Sequence, residues 1–413
     1  MNKVLPSFFT KHRSLLIATG VFVVVWALLT ANALLIERYT SQPKAYFPEL
    51  AEAFLEGRLY LIDPPRTLDL TVFEGRFYVA FPPLAALLML PEVALEGYQG
   101  VNTVAFSILY AALSAALVFL TLETFSKQGW TQLGTGSNLW ITAFFTFSTA
   151  LWLLTLGGSV TYISQVLTTA FVAAAVFAAA ASGSPWLAGS GLALAMLARP
   201  NVFLMWPFLL AIWLQREKDR GRAPGLRKIA AWTAASAVPV ALASAGLLAY
   251  NAARFHNPFD FGYLEMNVLN LVREELAQYG QFNPVFLPRN LHSMLLALPV
   301  FDESCGRWTP DPWGMSLLLT SPALVYAIRA RSKQPWVIGA WASLIATVML
   351  LLMYYNTGYS QFGYRFSMDF MLPLVCLMAL GSRKRVSAWM IGLILFGIAV
   401  NLIGTLWYYD QWC

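Results

Sequence analysis

Residues 182–222 read SGSPWLAGSGLALAMLARPNVFLMWPFLLAIWLQREKDRGR. Within them 186–214 forms two apolar halves, separated by Ala198-Arg199-Pro200-Asn201 and followed by a run of basic residues. Proline removes a helix hydrogen bond and restricts the residue before it, so a break is expected at Arg199-Pro200. Each half has about 13–15 residues, roughly 20 Å of helix, which is too short for a ~30 Å hydrocarbon core. Whether the segment crosses or returns depends on what flanks it.

The flanks are those of a membrane protein. Of 413 residues, 58% are hydrophobic and only 12% charged, against roughly 25% charged in a soluble domain. Mean hydropathy is +0.59, so the apolar excess must face lipid. Apolar stretches suit spans at 15–36, 101–122, 139–156, 162–181, 229–251, 313–330, 336–355, 367–381 and 387–407. The first is longer than the roughly 7–15 residues of a signal-peptide core, so an uncleaved span is expected. With the two halves of 186–214, the expected fold is an all-α polytopic transmembrane bundle of about 11 membrane segments.

The net charge is +6. In a soluble protein that would raise nucleic acid as a partner; here the basic residues occupy short loops, where they signal orientation. One face carries Lys3, Lys11, Arg13, Lys127, Arg216, Lys218, Arg220, Arg222, Arg227, Lys228, Arg329, Arg331, Lys333, Arg383, Lys384 and Arg385. The same loops hold only Glu123, Glu217 and Asp219 as acids. The positive-inside rule makes this face cytoplasmic. Residues 182–185 and 216–228 then lie on one side, so 186–214 must enter and return as a helical hairpin with Arg199 near its tip. The N-terminus falls inside and the C-terminus outside a plasma (inner) membrane.

Two long non-cytoplasmic loops remain, 37–100 and 252–312, and no linker divides the single integral domain 1–413. In the first loop Phe47, Leu50, Ala51, Phe54 and Leu55 recur at helical spacing opposite Glu49, Glu52 and Glu56, with Pro48 at the start and Gly57 at the end. Tyr and Trp at span ends, Trp407, Tyr408, Tyr409 and Trp412, suit an interfacial belt. Cys305, Cys376 and Cys413 lack metal-ligand spacing. Phosphate-loop, HExxH and Asp-x-Asp signatures are missing, which disfavours ATP-driven and nucleotide-sugar chemistry and a resident divalent metal.

Chemistry-bearing residues gather on the outer side. Asp63 and Asp69 precede Gly75-Arg76-Phe77-Tyr78…Phe81-Pro82-Pro83; later come Asn251…Arg254-Phe255-His256-Asn257-Pro258…Phe261-Gly262-Tyr263 and Gln361-Phe362-Gly363-Tyr364-Arg365…Asp369. Arginine forks bind phosphate oxygens, aromatic faces stack on sugars, and a carboxylate takes a hydroxyl proton. Arg199, a charge at membrane depth, needs a partner or a wet cavity. Bland readings stand beside these: Asp63 as a turn residue, Arg365 and Asp369 as an i,i+4 ion pair, Arg254 and His256 as headgroup contacts.

The long first loop, the Tyr46…Leu50-Ala51…Gly57-Arg58-Leu59 run and the broken helix at Arg199-Pro200 resemble the C superfamily of membrane glycosyltransferases, which includes protein O-mannosyltransferases and aminoarabinose transferases. The later strings resemble a bacterial branch of it. The resemblance implies transfer of a sugar from a polyprenyl-phosphate carrier to an acceptor glycan, lipid or protein on the non-cytoplasmic side. It implies a first-loop carboxylate as base; by their charge and aromatic character at the membrane surface, Arg199, Arg254 or Arg365 is expected to hold the donor phosphate and Arg76, Tyr78, His256, Tyr263 and Asp369 the substrate. Where family members carry an acid, seven residues before Leu50-Ala51, this chain has Pro43 and Lys44. Asp69, Asp63 or Glu37 then serves as base, or activity is lost. A transporter or flippase, and a non-catalytic partner in envelope-glycan assembly, are the rival readings; the first predicts paired broken helices near the midplane.

Overall fold

The computed structural model describes residues 4–304 and 306–409. Lys3, Cys305, Trp412, Cys413 and the side chain of Lys11 lie outside what is described. Helices dominate: α1 (Val4–Leu35), α2 (Phe47–Leu55), α3 (Leu84–Glu96), α4 (Thr103–Lys127), α5 (Thr135–Phe147), α6 (Leu151–Gly157), α7 (Val160–Ala181) and α8 (Pro185–Met196). They continue with α9 (Trp206–Asp219), α10 (Leu226–Phe255), α11 (Asn270–Tyr279), α12 (Leu287–Leu295), α13 (Leu317–Thr320), α14 (Pro335–Leu352), α15 (Met371–Gly381) and α16 (Ala388–Tyr409).

Six of these, α1, α4, α7, α10, α14 and α16, are long and apolar enough to cross a membrane, and α5 with α6 forms an apolar pair bent by 47°, a broken span or a re-entrant loop. The remaining expected segments, α8, α9, 317–329 and 365–381, are shorter or contain 3₁₀ turns, at Pro322–Arg329 and Arg365–Phe370. Together they account for the segments expected from the sequence, in an all-α polytopic bundle. The bend between α5 and α6 is a break that the sequence did not announce.

Local chemistry sets several helix ends. Asn102 caps α4 by accepting from the backbone N–H groups of Val104 and Ala105 at 3.1 and 2.9 Å. Ser184 caps α8, with Pro185 in its first turn. In α2, Phe47, Leu50 and Ala51 are fully buried and Phe54 partly so, as its periodicity predicts, while Leu55 is exposed.

The segment 182–222 does return. The Arg216 guanidinium donates to the Ala180 carbonyl, and the Trp232 indole donates to Gly183 O at 3.0 Å. The start of α8 and the end of α9 therefore meet at one end of the bundle, and Arg199 sits at the other. Helix α8 wedges between α7 and α10 because its glycines let backbones touch. A methyl at Gly189 would lie 2.3 Å from Ser236 O, and one at Gly191 would lie 2.8 Å from Ala175 N. The same end gathers Lys127 on Ser14, Gln128 on Ala180 O, and the Val386 N–H on Ser137, so the described basic loops share one face.

At the opposite end two short hairpins decorate the loops: β1 (Leu70–Phe73) with β2 (Arg76–Val79), and β3 (Val300–Asp302) with β4 (Arg307–Thr309). The first turns through Glu74-Gly75, both at positive φ (49° and 71°), a two-residue turn matched to strand twist. These strands went unforeseen, although Leu70-Thr71-Val72-Phe73-Glu74-Gly75-Arg76 carries that turn signal.

Candidate functional site

A cavity of about 660 Å³ opens at the loop end of the bundle. Its walls come from the first loop, the tip of the 182–222 hairpin, the start of α7, the second loop and the 350–366 connection. Five cations line it, Arg38, Lys44, Arg66, Arg199 and Arg365, and Asp69 is the one carboxylate among its described lining residues.

Asp69 stands at φ 67°, in the left-handed region that Asp tolerates better than most side chains. Its N–H donates to Asn267 O at 2.9 Å, and Asn267 N–H donates back to Leu70 O at 2.8 Å, tying the first loop to the second. The Tyr46 hydroxyl donates to Leu68 O at 2.7 Å just before it. Burial pushes the Asp69 carboxyl up, and the nearby charges of Lys44 and Arg365 pull partly against that rise. Burial, with Asp69 and Glu49 adding to it, pushes the Tyr46 hydroxyl up to about 12. Lys44 is held by its backbone, whose carbonyl accepts from Val160 N–H at 2.8 Å at the start of α7.

Arg199 and Arg365 reach the cavity by different supports. Arg199 follows α8 in extended conformation, because Pro200 excludes helix there. Its Nε and Nη2 donate to one oxygen, Asp369 Oδ2, at 3.2 and 2.8 Å, and Asn201 donates to the same oxygen at 2.8 Å. Arg365 Nε donates to Gly358 O at 3.0 Å and Nη1 to Gln165 Oε1 at 3.1 Å. Gly358 has φ 102°, and a methyl there would meet Arg365 Nε at 2.6 Å, so glycine is required.

The other sequence-read residues divide. Tyr263 lines the cavity, its ring edge-on to Phe81 at 6.0 Å. Asp369 is buried behind Arg199, outside the lining, and pairs with Arg199 rather than with Arg365 as the i,i+4 spacing suggested. Arg254 is buried outside the cavity; it donates to Val79 O at 2.5 Å and Asn251 Oδ1 at 2.7 Å, under the Tyr250 ring, and so fastens β2 to the end of α10. Arg76 covers the Tyr60 ring, Tyr78 packs against Phe255, and His256 lies 3.5 Å from Glu74 on the surface. Asp63 is exposed in the first loop, and neither it nor Glu37 lines the cavity.

Sequence reasoning treated Lys44 only as a missing acid, read Arg38 only as a surface ion-pair partner of Glu37, and gave Arg66 and Gln165 no role; Arg38 instead donates to Gln42 and lies over the Tyr409 ring. Among the described residues no group of three or more His, Cys, Asp or Glu is placed to hold a metal ion.

No family model matches the chain, and no curated protein matches it. Among solved structures, it aligns with ArnT from Cupriavidus metallidurans bound to undecaprenyl phosphate, at TM-score 0.50 and 14% identity, over 94% of this chain and 63% of that one. A second structure, of ArnT from the same organism in the apo state, aligns at TM-score 0.48 and 14% identity over 93% and 62%. The chain thus spans less than two thirds of the length of the proteins it aligns with. What the chain shares with the first ArnT structure is its fold, the all-α polytopic bundle expected from the sequence.

Proposed function

We propose that the protein is a membrane glycosyltransferase that moves one sugar from a polyprenyl-phosphate carrier to an acceptor on the non-cytoplasmic face of the inner membrane. One observation carries the reading: among the described residues, Asp69 is the one carboxylate lining a cavity that five cations also line at the loop end of the bundle. A phosphate-bearing donor suits such a charge balance, and the ArnT structure of the same fold is bound to undecaprenyl phosphate.

In the reaction, Asp69 accepts the proton of the acceptor hydroxyl as that oxygen attacks the anomeric carbon. The new carbon–oxygen bond forms as the bond from the anomeric carbon to the phosphate oxygen breaks. The sugar inverts, and the polyprenyl phosphate departs with the bonding electrons. Arg365 and Lys44 stabilise the negative charge on the departing phosphate. The raised pKa of Asp69 suits a base, since proton transfer is most efficient when the acceptor's pKa approaches the working pH. Arg199, neutralised by Asp369, orients rather than contributes net charge.

Polyprenyl-phosphate binding to the purified protein, followed by native mass spectrometry, tests the donor assignment. Arg365→Lys keeps the charge but loses the planar fork held by Gly358 and Gln165, and is expected to bind the carrier about tenfold more weakly. Equal binding by wild type, Arg365→Lys and Lys44→Gln would move the phosphate site elsewhere.

A further inference from the structure

A second cavity, of about 630 Å³, opens at the basic end of the bundle, between the 3₁₀ turn 322–329 and the connection from α15 to α16. Arg329, Arg331, Arg383 and Arg385 line it, and among the described residues no carboxylate does. The acids of that end are committed elsewhere. Glu123 accepts from Asn138 at 2.9 Å and Ser14 at 3.2 Å, Glu217 pairs with Arg220 and Arg222 at 3.2 and 3.6 Å, and Asp219 accepts from Gln215 at 2.8 Å and from Trp130.

The cavity is built by close packing. A methyl on Gly381 would lie 1.9 Å from Tyr326 O, so glycine alone lets α15 meet the 322–329 turn. The Tyr326 and Ser387 hydroxyls lie 3.1 Å apart, and the Arg329 guanidinium covers the Tyr326 ring at 4.6 Å. Ile328, which lines the cavity, is 63% exposed, and Trp389, two residues beyond the lining Ser387, is 74% exposed. Exposed apolar side chains next to uncompensated arginines, at the end of membrane spans, form a surface that is amphipathic in the same sense as a lipid. Orientation bias accounts for basic residues on this face, but not for their convergence on one cavity.

We propose that this cavity binds the phosphate of an anionic phospholipid headgroup, with the acyl chains running along Ile328 and Trp389. The cavity sets four guanidinium groups around one space, and a phosphodiester there accepts forked hydrogen bonds from them. This site is independent of the sugar-transfer reading, since it shares no residue with the Asp69 cavity.

The test compares three proteins in native mass spectrometry and in thermal unfolding, each with phosphatidylglycerol, phosphatidylcholine or inorganic phosphate added. Wild type is expected to hold phosphatidylglycerol and unfold at higher temperature in its presence. Arg329→Gln/Arg383→Gln/Arg385→Gln is expected to bind it roughly a hundredfold more weakly. Arg222→Gln/Arg227→Gln/Lys228→Gln removes the same charge from the same end, outside the cavity, and is expected to bind like wild type. If the triple cavity variant does not fold, Arg383→Gln and Arg385→Gln singly are each expected to bind about fivefold more weakly. Equal loss in both triple variants, equal binding of phosphatidylcholine, or displacement of the lipid by millimolar phosphate would each overturn the proposal.

Discussion

The pair that most clearly joins fold to site is Arg199 and Asp369. Asp369 is buried, and Arg199 is its ion-pair partner at 2.8 Å. Removing one partner of a buried pair typically costs about 3–5 kcal/mol, because the other charge is left stranded. Arg199→Ala is therefore expected to lower the thermal unfolding midpoint sharply, while Arg199→Leu/Asp369→Leu recovers most of that loss. A double variant no more stable than Arg199→Ala would show that the pair is not what holds the hairpin tip. Arg199 was legible because a charge inside an apolar run demands a partner. Its partner was not, because i,i+4 spacing offered Arg365 to Asp369, and tertiary packing placed Arg365 on Gly358 and Gln165 instead. For Asp69 the sequence offered three first-loop acids; only burial and the company of Lys44 and Arg365 separate it from Asp63 and Glu37.

Among elements, the connection that precedes the 3₁₀ turn 365–370 positions the cavity wall most directly. Gly358 sits at φ 102° with Arg365 Nε in the space a side chain would take. Gly358→Ala is expected to push Arg365 away and weaken carrier binding about as much as Arg365→Lys, with a smaller effect on stability than Arg199→Ala. Unchanged binding would separate the turn from the site. Long apolar runs such as 103–127 and 160–181 declare themselves through composition. The breaks at Ser148, Ser321-Pro322 and Arg365 fall inside apolar stretches, and hydropathy averages over them. The four-residue strands of the first loop escape for a similar reason, being too short for a periodicity of two to register.

For the whole molecule, the described basic loops converge on one end and the Asp69 cavity opens at the other, so the membrane orientation and the proposed chemistry stand or fall together. In a background with Cys305 and Cys413 replaced by Ser, an exposed cysteine at Asp63 is expected to react with a membrane-impermeant thiol reagent in intact cells. Cysteines at Arg222 and Lys333 are expected to react only after the membrane is opened. Labelling of Lys333→Cys from outside would invert the orientation. The fold class was readable from composition and charge alone. The cavity was not, because it is assembled from segments as distant in sequence as Lys44, Asp69, Arg199 and Arg365.

The central claim is that Asp69 takes the acceptor's proton, and transfer of a sugar from a polyprenyl-phosphate donor by the reconstituted protein measures it. Asp69→Asn retains shape and hydrogen bonding but cannot accept the proton, and loss of a general base typically slows a reaction by about 10²–10⁴. Asp63→Asn and Glu37→Gln, outside the cavity, are expected to stay within several-fold of wild type. The wild-type rate should fall on acidification at a pH above the usual aspartate range, because burial holds the Asp69 proton and only the ionised form works. A folded Asp69→Asn protein that transfers sugar at the wild-type rate would contradict the account.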